Sequence, residues 1–126
     1  MQKSKLRNIS LVILGTIFLA ACTSKTIVPD IPVPSGNVSF SNDVVPIFTK
    51  SCAINGCHAT GNNQPDLSAA NAYRSLITMS LVDTINPAQS VIYKKISPGG
   101  SMSLYIQSPA DPQTILYWIK QGAKNN

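Results

Sequence analysis

"SCAINGCH", residues 51–58, holds two of the chain's three cysteines and its only histidine. Its last pair, Cys57-His58, sets an imidazole directly after a thiol. Two cysteines followed at once by a histidine is the arrangement of covalent haem attachment, where the box reads C-x-x-C-H. Such attachment needs two thiols placed to meet two vinyl groups on one porphyrin edge. It also needs the imidazole next to the second thiol, so that a ring nitrogen reaches the iron. Here four residues, Ala53 to Gly56, form the spacer. The added length must bulge outward instead of following a helical turn. Asn55-Gly56 suits that, because both residues tolerate left-handed backbone and the pair favours tight turns. From the box alone two other readings stay open. One is a Cys52–Cys57 disulfide formed in an oxidising compartment, with His58 on the surface. The other is a zinc site, which wants four ligands and would need carboxylates to complete it.

Upstream, the chain of 126 residues opens with an export pattern. Lys3, Lys5 and Arg7 form a positive region, and Ile9 to Ala21 is an apolar run too short to span a bilayer comfortably. It ends in "LAAC", Leu19 to Cys22, small residues before a cysteine. This resembles the lipobox of bacterial lipoproteins, which implies that residues 1–21 are removed and Cys22 is lipidated. Residues 23–37, "TSKTIVPDIPVPSGN", carry three prolines and read as a tether. At about 3 Å per residue it would reach roughly 45 Å when extended. The expected organisation is a signal at 1–21, a lipidated cysteine and tether at 22–37, and a folded domain at 38–126.

Charge narrows the partners. The full chain has net charge +5, with ten Lys and Arg against five acids, all Asp. Loss of Lys3, Lys5 and Arg7 with the signal takes that +5 to +2. A charge this small gives no argument for nucleic-acid binding. The chain has no glutamate, no second histidine and no serine-nucleophile box, so no acid–base constellation points to a catalyst.

Strand alternation is weak, and helical spacing is clear in four places. "DVVPIFTKS" (43–51) has Asp43 as a cap, Pro46 in the first turn, and Val44, Ile47 and Phe48 on one face. "AANAYRSLITM" (69–79), capped by Asp66 or Ser68, turns Ala69, Ala72, Tyr73, Leu76 and Ile77 inward. "NPAQSVIYKKI" (86–96) starts at Asn86 with Pro87 following, and "SPGGSMS" (97–103) breaks it. The last helix takes Asp111 as its cap with Pro112 following, presents Ile115, Leu116, Trp118 and Ile119, and stops at Gly122. The expected class is all-α, with long loops in need of something to pack against.

With these pieces in order, residues 40–125 resemble the class I cytochrome c family. The likeness is to small haem domains of bacterial lipoproteins whose sequences read D-x-x-P-I-F…C…C-H…G-A-K. The matching stretches are "DVVPIF" (43–48), the box, "NPAQSVIYKKI" (86–96), "GGSM" (99–102) and "ILYWIKQGAK" (115–124). The resemblance implies a small helical domain wrapped around one covalent haem c. Cys52 and Cys57 would supply the thioethers, and His58 the proximal iron ligand. Phe48 would pack against Tyr117 or Trp118 of the last helix. The family's axial methionine sits in a late loop, which matches Met102. Met79 is the alternative, although a methionine ending an apolar helix is usually core filler. A proline carbonyl after the box often receives the other imidazole nitrogen, and Pro65 matches that place. The four-residue spacer is where this chain departs from the family.

With one histidine, bis-histidine ligation within the chain is impossible. His/Met ligation suits outer-sphere electron transfer, while an open sixth site would admit small gases or peroxide. Leu67, Ile77, Leu81, Ile92, Ile96 and Leu104 are expected to bury the porphyrin. Tyr73, Tyr93, Tyr105, Arg74, Lys94 and Lys95 are candidate donors to its propionates. The function expected is a membrane-tethered monohaem carrier, not an enzyme, which passes single electrons between redox protein partners that dock transiently. Its place would be the bacterial cell envelope, lipid-anchored, in the periplasm or at the cell surface. Thr23 after the lipidated cysteine offers no acidic inner-membrane retention signal, which favours the outer membrane. The competing readings are a haem domain with an open sixth site, for sensing or for service to a larger oxidoreductase, and a disulfide-clipped binding lipoprotein without haem.

Overall fold

Ser39 opens the domain by satisfying the first free amides of a helical run. In the computed structural model, which describes residues 31 and 34–126, its Oγ accepts the Asn42 amide at 3.2 Å. Asp43 answers by accepting the Ser39 amide at 2.7 Å. This is a capping box stretched by one residue, and it fits the wider π-helical turn at Phe40–Val44. Ser39, not Asp43, is therefore the cap. Helix α1, Val45–Ser51, continues from it with Pro46 in its first turn. The export signal, Cys22 and most of the tether lie outside the described residues.

Helix α2 covers Ala72–Thr78. Ala72 and Leu76 are buried and Tyr73 is half-buried, but Ala69 and Ile77 are exposed. Two turns of helix present only a narrow stripe to the core, and Ile77 falls outside it. The expected helix over 86–96 divides in two: a single 3₁₀ turn, Pro87–Gln89, and helix α3, Val91–Ile96. Ser90 causes the division. Its Oγ accepts the Asp83 amide at 2.8 Å and donates to the Asp83 carbonyl at 3.3 Å. Holding both groups sets Ser90 in extended backbone, which ends one turn and starts the next. A second 3₁₀ turn, Ser103–Tyr105, precedes helix α4, Asp111–Lys120, in which Asp111 is the first helical residue and Ala110, not Asp111, stands at the cap.

Helix α4 packs against the Phe40–Val44 turn and α3. Its Ile115, Trp118 and Ile119 are buried with Phe48, Leu76 and Ile96 in one core. The ring contacts run through Phe40, which lies 5.0 Å from Trp118, 5.2 Å from Tyr73 and 6.5 Å from Phe48 between centroids. Phe48 thus meets the last helix's aromatic by way of Phe40. Gly122, at φ +94°, lets the chain turn off α4 while the Ala123 amide returns to the Trp118 carbonyl at 3.0 Å.

The two ends of the domain are tied together. Gln121 accepts the Val38 amide at 2.8 Å and donates to the Gly36 carbonyl at 2.9 Å. Asn126 accepts the Phe40 amide on its side chain at 2.9 Å, and its main-chain oxygen accepts the Ser41 amide at 2.9 Å. The domain is all-α, with no strand among the described residues. No helix among them is long and apolar enough to cross a membrane.

Candidate cofactor site

The spacer between the two cysteines folds as a tight turn. The Cys57 amide donates to the Ile54 carbonyl at 3.0 Å, and Gly56, the third residue of that turn, has φ +81°. Asn55 keeps negative φ, so the turn is type II, with glycine at its one left-handed position. The His58 amide then reaches back to the Cys52 carbonyl at 3.0 Å. That bond closes the box across the bulge and stacks the added residues outside it. Asn62 and Asn63 hold the bulge from the far side. The Gly56 amide donates to Asn62 Oδ1 at 3.3 Å, and Asn63 Nδ2 donates to the Gly56 carbonyl at 3.1 Å. The sequence reading did not single out this pair.

Beside the box lies a cavity of about 450 Å³. Cys52 and Cys57 line it, as do His58, Pro65 and Met102. Both cysteines are free thiols in the structure. Cys52 is buried at the end of α1; Cys57 is half-buried. Burial, with Cys57 and then Asp111 nearby, pushes the Cys52 thiol up to about 11. The His58 ring is fixed by its Nδ1, 3.0 Å from the Pro65 carbonyl oxygen. A carbonyl only accepts, so Nδ1 carries the proton, and in the neutral ring Nε2 is then the nitrogen with the lone pair. The Leu67 amide donates to the His58 carbonyl at 2.8 Å and brings that leucine to the wall. The Gln64–Pro65 peptide is cis.

Leu67, Leu81, Ile92 and Ile96 supply apolar walls, with Val91 beside them. Two expected residues do not. Ile77 is 45 % exposed and Leu104 is 94 % exposed, and neither lines the cavity. Leu104 misses because 3₁₀ geometry eclipses residues three apart. Met102 and Tyr105 therefore share the cavity side, and Leu104 between them faces away. Met79 is also absent from the wall; its exposure, 44 %, is close to that of Met102, 37 %, so the wall alone separates them.

Polar groups on the wall are few: Ser51, Asn63, Gln64, Lys95 and Tyr105, besides His58. Of the candidate propionate donors, only Lys95 and Tyr105 reach the cavity. Tyr73 Oη donates to the Ala123 carbonyl at 3.2 Å, and Tyr93 Oη meets Gln113 Nε2 at 3.5 Å. Arg74 and Lys94 are exposed elsewhere. Among the described residues, no three His, Cys, Asp or Glu side chains gather closely enough to hold a bare metal ion. Comparison with protein-family models, with curated proteins and with solved structures finds no match.

Proposed function

We propose that the cavity holds one haem c, fastened through Cys52 and Cys57 with His58 and Met102 as iron ligands, in a domain that carries single electrons between protein partners. One observation supports this above others. The box thiols, the chain's only histidine and a methionine remote in sequence line the same apolar cavity. Its volume lies in the range of cofactor pockets. The thiols are unpaired, and His58 offers Nε2 with its ring already oriented. Bound haem supplies a one-electron iron couple, whose potential His/Met ligation raises relative to bis-histidine.

The chain's own residues do the rest. The Pro65 carbonyl fixes the His58 tautomer and makes the ring a better donor through its free nitrogen. Around a bound haem, Leu67, Leu81, Ile92 and Ile96 would limit water and so would favour the less charged iron state. Lys95 and Tyr105 offer donors to a propionate. Met102 is the axial candidate on the wall; Met79 is not. The domain is proposed as a carrier and not a catalyst. Its partners would be redox proteins that dock transiently, and a lipid on Cys22 would tether it in a bacterial envelope.

The test is haem staining of a denaturing gel, with Cys52→Ala and Cys57→Ala beside the wild type. Wild type should stain, and intact mass should show one porphyrin bound. A matured sample that is colourless, with Cys52 and Cys57 joined as a disulfide, refutes the proposal. In the stained protein, Met102→Ala should remove the far-red ferric band of a methionine ligand and Met79→Ala should leave it. Ready carbon monoxide binding by the reduced wild type would favour the open sixth site.

A further inference from the structure

Two adjacent glycines precede Met102, and the structure uses them differently. Gly99 has φ +83° and nothing within 4 Å of where a Cβ would stand. It is the third residue of a turn closed by the Gly100 amide, which donates to the Ser97 carbonyl at 2.8 Å. Pro98 is the second residue, the order that a type II turn prefers. Gly100 has no need of left-handed backbone. A Cβ there would instead overlap the carbonyl oxygens of Lys94 and Lys95. Those are main-chain atoms at the end of α3, and they cannot rotate aside.

The close approach has a result. It leaves the Met102 amide 2.8 Å from the Lys95 carbonyl oxygen, one of the acceptors that a helix end leaves free. The Gly100 carbonyl in turn accepts from the Ser103 amide at 3.1 Å and from Ser103 Oγ at 2.7 Å. The Met102 carbonyl accepts the Tyr105 amide at 3.1 Å. Met102 is held upstream by the seat of Gly100 on α3 and downstream by the 3₁₀ turn.

We propose that Gly100 is a positioning residue for Met102: its missing side chain seats the loop on α3 and so delivers the thioether to the cavity. This rests on the haem reading, with Met102 as the axial ligand. A methyl group at position 100 would stand 2.2 Å from the Lys94 carbonyl oxygen, so the loop must lift by more than about 1 Å to restore ordinary contact. A ligand displaced that far no longer holds its bond geometry.

The experiment compares haem-loaded full chains of wild type, Gly100→Ala, Gly99→Ala and Met102→Ala. Gly100→Ala should stain for haem as wild type does. It should also lose the far-red methionine band, as Met102→Ala does, and bind carbon monoxide roughly tenfold more tightly or better. Gly99→Ala should keep the band and merely melt at lower temperature. Gly100→Ala with the band at wild-type strength overturns the proposal, as does Gly99→Ala losing it equally. If Gly100→Ala does not fold, amide exchange in the wild type decides. Met102 exchanging roughly a hundredfold more slowly than Ser101 supports the seat, and equal rates overturn it. A colourless wild type would refute the haem reading and this inference together, whereas a coloured Gly100→Ala with its band intact refutes this inference alone.

Discussion

Replacing Gly56 by alanine isolates the backbone cost of the added spacer. Its φ is +81°, and a Cβ there would meet nothing within 4 Å. No clash contributes, so the change is conformational only. Left-handed backbone costs an L-residue about 1–2 kcal/mol. Alanine returns about 0.4–1 kcal/mol by restricting the unfolded chain. The net is a loss of about 1 kcal/mol, or about 4–8 °C of melting temperature for a domain of this size. Gly56→Asn should lie between alanine and wild type, because asparagine visits this region more readily. Both thiols remain in place. The bonds from Asn62 and Asn63 go to the Gly56 main chain, so haem staining should be unchanged. Thermal melts of stained, purified protein at one pH are the assay. Gly56→Ala melting at or above wild type would refute the type II turn. A loss beyond about 3 kcal/mol would mean a contact at this position that the open space around it denies.

Phe40→Ala should cost about 3–5 kcal/mol in denaturant unfolding, since the ring is buried among three others; a loss under about 1 kcal/mol would place it outside the core. The Asn86 amide, with that of Ile85, holds the Asp83 carboxyl below the ordinary aspartate range. Because the folded value is the lower one, this stabilisation is complete above pH about 4 and is lost as pH falls through the folded value. The stability gap between wild type and Asp83→Ala should therefore close in acid; a gap that widens would reverse the sign. In protein matured without haem, iodoacetamide near pH 8 should label Cys57 well before the buried Cys52, by peptide mass mapping. Equal labelling would contradict that burial.

How much of this was readable from residue types differs by feature. The glycine in the bulge between the cysteines, Pro46 inside α1 and the stop at Gly122 all follow from local chemistry, and each lies where that chemistry puts it. The break at Ser90 does not follow from helical spacing. It depends on Asp83, seven residues away, and a period search along one helix cannot see that partner. Phe40 escaped because it precedes the apolar run. Its importance comes from meeting rings on α1, α2 and α4 at once. Helical spacing turns Ile77 inward and apolar character alone does so for Leu104, but a short helix and a 3₁₀ turn have room for few inward positions. Met102 and Tyr105 share the cavity because they stand three residues apart in such a turn, a register visible only once the turn is known.

Gln121 and Asn126 fasten Gly36, Val38 and Phe40 to the segment that follows α4. A pull arriving from the N-terminal side loads those hydrogen bonds and the Phe40–Trp118 contact before it reaches Cys52. Gln121, Asn126, Phe40 and Trp118 all lie off the cavity wall, so such a load would fall first on contacts separate from His58 and Met102.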